Sequence, residues 1–117
     1  MDGKFEVQSQ LPLTEVTFFI LLSLSQRPLH GYGIMQEVSD LTSGRISLMT
    51  GTLYGALRRL LEQGWIVRVE EEDAEDTGRS RKEYRLSDLG RRILNAEISR
   101  LEELVQVAHY RTQGEQA

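Results

Sequence analysis

Apolar and polar residues change their spacing along the chain of 117 residues, and the changes divide it into segments. Residues 1–11 are mostly polar, without pattern, and read as a flexible arm. Between Pro12 and Pro28 lies a dense apolar run containing Val16, Phe18, Phe19, Ile20, Leu21, Leu22 and Leu24. Such a run suits a buried helix or a buried strand, and its length favours the helix. Thr14 is placed to cap it, with Glu15 in the first turn, where the helix dipole favours a negative charge.

Pro28 and the Gly31/Gly33 pair mark a short connection. Ile34, Val38 and Leu41 then recur at i, i+4, i+7, which predicts a second helix with one apolar stripe, ended by Ser43-Gly44. Leu53, Leu57, Leu60 and Leu61 share one side of a third helix over Thr50–Gln63, with Gly64 placed to stop it.

Beyond Gly64 the period drops to two. Trp65-Ile66-Val67-Arg68-Val69 and Glu83-Tyr84-Arg85-Leu86 read as strands of a hairpin whose charged connection carries Thr77-Gly78 as a turn signal. Ser87 caps a last helix running to about Arg111, with Asp88 in its first turn. Leu94, Ile98, Leu101, Val105 and Ala108 are spaced 4, 3, 4, 3 along it, an a/d seam two heptads long. A helix of about 25 residues spans roughly 37 Å, more than a small three-helix core can cover. The seam therefore predicts a dimer; the competing reading folds it back on its own domain.

The predicted fold is mainly α with a small β-hairpin. A winged helix-turn-helix domain over residues 12–87 precedes a long C-terminal dimerisation helix over residues 88–113 and a tail at 114–117. In that arrangement the third helix enters the DNA major groove, and the hairpin contacts the backbone or minor groove beside it.

A net charge of −4 argues against nucleic acid until it is located. Six acidic residues crowd into positions 70–76, and setting them aside leaves +2. Residues 79–92 carry a local +4. The acid belongs to the hairpin tip and the base to its returning side. Composition is that of an ordinary soluble domain, without cysteine and so without a disulfide or thiolate-metal site. The apolar run 16–24 is too short for a membrane span and lacks a preceding basic segment, so no membrane partner and a cytoplasmic location are expected. There is no histidine cluster, phosphate-cradling glycine loop or nucleophile elbow, so no enzyme, cofactor or metal is expected.

Four stretches carry a resemblance: His30-Gly31-Tyr32-Gly33-Ile34, Thr50-Gly51-Thr52-Leu53-Tyr54-Gly55-Ala56-Leu57-Arg58-Arg59-Leu60, Gln63-Gly64-Trp65-Ile66, and Arg81-Lys82-Glu83-Tyr84-Arg85-Leu86-Ser87-Asp88-Leu89-Gly90. In this order and spacing the chain resembles the PadR-like transcriptional regulators over residues 12–110. The resemblance implies a cytoplasmic regulator, usually a repressor, acting as a homodimer joined through the C-terminal helix, here of the shorter branch with a single such helix. It also implies, for some members, release from DNA by a small aromatic or drug-like effector at or near the dimer interface. Two departures stand out: the acidic run in the wing, and Thr50 where a proline is common.

The candidate DNA contacts on the third helix are Thr50, Gly51, Thr52, Tyr54, Gly55, Arg58 and Arg59, all off its leucine side. Hydroxyls near a helix N-terminus suit phosphate oxygens. Glycines permit close approach, and an arginine can fork onto guanine or meet a phosphate. Tyr54 packing on the core and solvated arginines are the alternatives. On the hairpin Arg79, Arg81 and Lys82 read as a backbone clamp, or as ordinary strand-edge charge. His30 reads as bonding a backbone group at a helix start, Tyr32 as core or interface, and Trp65 as a packed strand residue. The rival function is a winged-helix module that binds protein, not DNA, since fold alone does not fix function. Clustered cations on the reading face would favour DNA, and an apolar patch there a protein.

Overall fold

A computed structural model describes residues 7–70 and 82–113. In chain order it contains α1 (Glu15–Ser23), β1 (Leu29–His30), α2 (Gly31–Leu41), α3 (Thr50–Gln63), β2 (Ile66–Glu70), β3 (Lys82–Leu86) and α4 (Asp88–Gln113). The strands form one antiparallel sheet in the order β1-β3-β2.

Local chemistry sets the boundaries. The Thr17 N–H donates to Thr14 Oγ1 at 3.1 Å, so the cap and the acidic first turn of α1 form as expected. α2 ends where Ser43 and Gly44 take φ of 53° and 81°, and Gly44 N–H reaches the Ser39 carbonyl at 2.7 Å. Thr42, not Leu41, turns inward there. Its hydroxyl donates to the Val38 carbonyl (2.9 Å) and accepts from the Ile46 N–H (3.0 Å), leaving Leu41 45% exposed. Gly64, at φ 79°, closes α3 with the left-handed cap that only glycine adopts without strain.

One core holds these elements together: Ile20, Leu21 and Leu24 from the α1 region, Ile34 and Val38 from α2, Leu53, Leu57 and Leu60 from α3, Ile66, Tyr84 and Leu86 from the sheet, and Ile93 and Leu94 from α4. Val7 belongs to it as well, at 6% exposure, and Leu11 packs against it. The flexible arm expected over residues 1–11 is thus corrected at its C-terminal end, while residues 1–6, like the tail at 114–117, lie outside the described residues.

Three further corrections follow from long-range pairing. The expected hairpin is a three-stranded sheet, because Leu29 and His30 pair with Tyr84 and Glu83. A strand of two residues between Pro28 and Gly31 shows no periodicity of its own. Trp65 precedes β2; its ring is buried and its carbonyl faces α4. Leu94, expected in the dimer seam, is 2% exposed within its own chain and belongs to its own core.

The start of α4 is fastened to the end of α3. Ser87 N–H donates to the Trp65 carbonyl at 3.0 Å, Ser87 Oγ donates to the Gly64 carbonyl at 2.6 Å, and Gly90 N–H donates back to Ser87 Oγ at 3.0 Å. A Cβ on Gly90 would collide with the Trp65 carbonyl oxygen and carbon, so close is the approach. Further along α4, Glu97 is buried at 2% exposure. Its carboxylate accepts from Leu13 N–H (3.0 Å) and from the Arg100 guanidinium (2.6 and 3.0 Å), which ties the segment before α1 to α4. Arg100 holds this carboxyl below its ordinary pKa, partly opposed by burial, with the Leu13 amide assisting. From residue 102 to 113 every side chain of α4 is exposed.

Candidate nucleic-acid interface

α3 buries Leu53, Ala56, Leu57 and Leu60 and turns the rest of its surface outward. Thr50, Gly51 and Thr52 at its start, Gly55 in its middle, and Arg58 and Arg59 beyond are all exposed. A Cβ at Gly51 or Gly55 would meet nothing within 4 Å, so the packing of this chain requires neither glycine. Their helical cost relative to alanine, about 1 kcal/mol each, is uncompensated inside the fold.

Tyr54 divides its surface. Its phenol tip lies over Gly31, where any Cβ would strike the hydroxyl, yet the residue remains 43% exposed. It therefore braces α3 against the start of α2 and still presents an edge outward. Leu61 is half-buried, at the margin of the core.

Between α3 and the sheet runs a cleft of about 270 Å³. Arg58 and Tyr54 line it from α3, and Arg68, Lys82 and Tyr84 from the strands, over an apolar floor of Leu57 and Leu61. Among the described side chains, which in β2 end at Val69, no carboxylate pairs with Arg58, Arg68 or Lys82. Arg45, in the turn before α3, is instead engaged by Glu15 at 2.7 Å, which holds the Glu15 carboxyl below its usual range. Burial, with a smaller contribution from Tyr54, pushes the Tyr84 phenol above its ordinary pKa; Arg68 pulls the other way. Tyr84 is thus a neutral hydroxyl beside a cation. Such a surface offers donors and positive charge, the complement of phosphate oxygens.

Of the residues expected at the interface, α3 supplies its whole set on one exposed side. Lys82 joins Arg58 at the cleft, whereas Arg59 does not line it. Arg79 and Arg81 lie outside the described residues, as does most of the acidic run 70–76. Sequence reasoning passed over Arg68, which sits in a strand between Val67 and Val69. The available signal was its period-two placement with Ile66 on the core face. His30 stands at the N-cap of α2 without a capping bond; its Nε2 lies 3.4 Å from Glu83 Oε2. It faces Glu83 across β1 and β3 instead of closing a helix start, because their register sets the two residues opposite each other, and among the described residues its Nε2 has no hydrogen-bond partner. Tyr32 is 70% exposed and is not core.

On α4, Ile98 and Leu101 are half-buried, while Val105 is 53% exposed and Ala108 fully on the surface. Leu104, 51% exposed, extends this stripe. An open groove of about 770 Å³ flanks it, with Phe18 of α1, Ile98, Leu101 and Val105 as its apolar part and Glu102 and Glu103 as its acidic part.

The family model for the transcriptional regulator PadR-like family matches residues 20–96. The chain belongs to this family. As a PadR-like protein it is a transcriptional regulator, not an enzyme. The matched segment contains α3, the cleft and the α3–α4 junction, and stops short of the projecting half of α4. An uncharacterised protein from Lysinibacillus sphaericus is 28% identical over 101 residues, 86% of this chain and 91% of that one. The structure of a PadR-like transcription factor from Bacteroides fragilis is similar, with a TM-score of 0.70, 27% identity, and coverage of 90% of this chain and 97% of that one. Bacillus subtilis PadR, solved in complex with operator DNA, shares the fold at a TM-score of 0.64 and 24% identity. That match covers 74% of this chain and 48% of the longer protein. No helix among the described residues of this PadR-like chain is long and apolar enough to cross a membrane.

Proposed function

We propose that this PadR-like chain is a homodimeric repressor that reads a near-palindromic DNA operator in the cytoplasm. Residues 12–87 form the DNA-binding unit and residues 88–113 the dimerisation helix. α3 lies in the major groove, and the hairpin, from Arg68 and Lys82 outward, meets the flanking backbone. The observation that carries this reading is the outer surface of α3, where two sterically unneeded glycines and an arginine adjoin a cleft lined by cations. An apolar patch in that place would have pointed to a protein partner. The operator complex of Bacillus subtilis PadR supports the same use of the fold. The groove beside α4, apolar with an acidic part, supports a small aromatic effector that acts through the dimer interface.

A labelled duplex from the chain's own promoter region should bind with an affinity that falls steeply with salt. Arg58→Ala should weaken that binding by about tenfold to a hundredfold and relax its sequence preference, with the melting temperature unchanged. Unaltered affinity and preference would remove Arg58 from the interface.

The glycines give a test in which stability and binding move in opposite directions. Gly55→Ala should raise stability by about 1 kcal/mol, roughly 4 °C in Tm, because the added methyl meets open space. The same methyl should weaken duplex binding about tenfold by holding the helix off the groove floor. A variant that is stabilised and binds as tightly as the parent would show that no surface approaches Gly55.

A further inference from the structure

The inner face of the β2–β3 hairpin passes from core to charged positions within one strand length. Ile66 stands opposite Leu86, Arg68 opposite Tyr84, and Glu70 opposite Lys82. Residues two apart share a face of a strand. Ile66, Leu86 and Tyr84 are buried, so this is the face turned on the helices. Arg68 and Lys82 continue it past the edge of the core, where α3 presents not a carboxylate but a third cation, Arg58, and a hydroxyl, Tyr54. Like charges gathered beside a low-dielectric floor repel one another until an anion enters.

Tyr84 gives the arrangement its direction. It is 4% exposed and fixed by its pairing with both β1 and β2. Its hydroxyl shares the cleft with Arg68, the residue opposite it in the sheet, and the guanidinium pulls down the phenol pKa that burial raises. Duplex geometry supplies the anion. A single phosphodiester strand separates the major groove from the adjoining minor groove. A helix in one groove and a hairpin over the other straddle that strand, and the gap between them is this cleft.

We infer that the cleft between α3 and the hairpin seats one backbone phosphate of the duplex, with Arg68 as its principal ligand and Tyr84 as the residue that positions Arg68. The inference rests on the DNA-binding reading above and deepens it. Arg58 borders both the seat and the outer surface of α3, so it couples the register of the backbone to the reading of base edges. Lys82 adds charge at the seat.

The test uses the full chain and two labelled 40-base-pair duplexes, one from upstream of its own reading frame and one of scrambled sequence, titrated over a range of chloride concentrations. Arg68→Gln should raise Kd about tenfold on both duplexes alike and reduce the slope of log Kd against log salt by about 0.9, the loss of one phosphate contact. Arg68→Lys should restore the slope while leaving Kd raised, and it serves as the second variant should Arg68→Gln fold poorly. Tyr84→Phe should raise Kd severalfold in the parent and have no effect in the Arg68→Gln background, a coupling that a merely structural tyrosine would not show.

Parental slope and affinity in folded Arg68→Gln overturn the seat while leaving DNA binding intact. Loss confined to the upstream duplex makes Arg68 a base reader and also overturns it. Inorganic phosphate should displace duplex from the parent better than chloride at equal ionic strength and lose that advantage in Arg68→Gln; an advantage unchanged in Arg68→Gln overturns the seat. Failure of the parent to bind either duplex at low salt removes the DNA reading and the seat together.

Discussion

Replacing Gly90 with alanine is expected to lower the melting temperature by on the order of 10 °C, a loss of about 3 kcal/mol. At this position in α4 the methyl would occupy the space of the Trp65 carbonyl oxygen, which accepts the Ser87 N–H at 3.0 Å. The obstacle is backbone, already engaged, in a segment held from both sides by Gly64 and Ile66. It cannot rotate away as a side-chain tip would. The helical gain from glycine to alanine, about 1 kcal/mol, offsets only part of the overpacking. In a protein whose whole stability is on the order of 5–15 kcal/mol, the loss approaches the margin for folding. Thermal unfolding followed by circular dichroism reads the effect, with Gly55→Ala as the internal contrast: same chemistry, helical location and opposite sign. Equal melting temperatures for Gly90→Ala and the parent would mean that α4 does not approach Trp65 this closely.

A charge at Val105 should separate the proposed dimer without harming the protomer. Val105 is 53% exposed and lies in the part of α4 where no side chain is buried in its own chain, so Val105→Glu removes nothing from the core. In a paired seam the same change buries two like charges, or forces the helices apart. Sedimentation should then report the mass of one chain, 13.4 kDa, in place of twice that value. Operator affinity should fall by roughly 10²–10⁴, because the second half-site is no longer reached intramolecularly. Leu101→Glu should act in the same direction but also cost stability, since Leu101 is half-buried against its own domain. A dimer that survives Val105→Glu would place the contact elsewhere on α4, with the exposed Val107 and Tyr110 the first residues to examine.

Much of the fold was legible because so much of it is specified locally. Thr14, Ser87, Ser43-Gly44 and Gly64 act within a turn of themselves, and all four end or start helices where their chemistry indicates. The leucines of α3 needed only a period. What could not be read depends on which distant residues meet. The strand Leu29–His30 exists because Tyr84 and Glu83 lie beside it, more than fifty residues away. Leu94 fits a heptad seam as well as it fits a core, and only the docking of α4 decides between them. Glu97 reads as one of many surface acids until the Leu13 amide and Arg100 are brought to it. Arg68 was obscured by its valine neighbours, although its spacing from Ile66 already placed it on the inner face.

The fastening of Ser87 and Gly90 to Gly64 and Trp65 has a mechanical consequence. Two hydrogen bonds from Ser87 and one van der Waals stop at Gly90 join α3 to α4, so these two helices move as an elbow with little play. Val105 lies fifteen residues beyond Gly90, roughly 22 Å along the helix axis. A tilt of 10° at the elbow would swing that point by roughly 4 Å, and in a symmetric pair each arm would swing. In the proposed dimer, half-site spacing would therefore be gauged by the angle at two carbonyl groups, far from any base pair. The proposed effector beside α4 would need to shift that angle by only a few degrees for the two reading helices of the proposed dimer to fall out of step with the turn of the duplex.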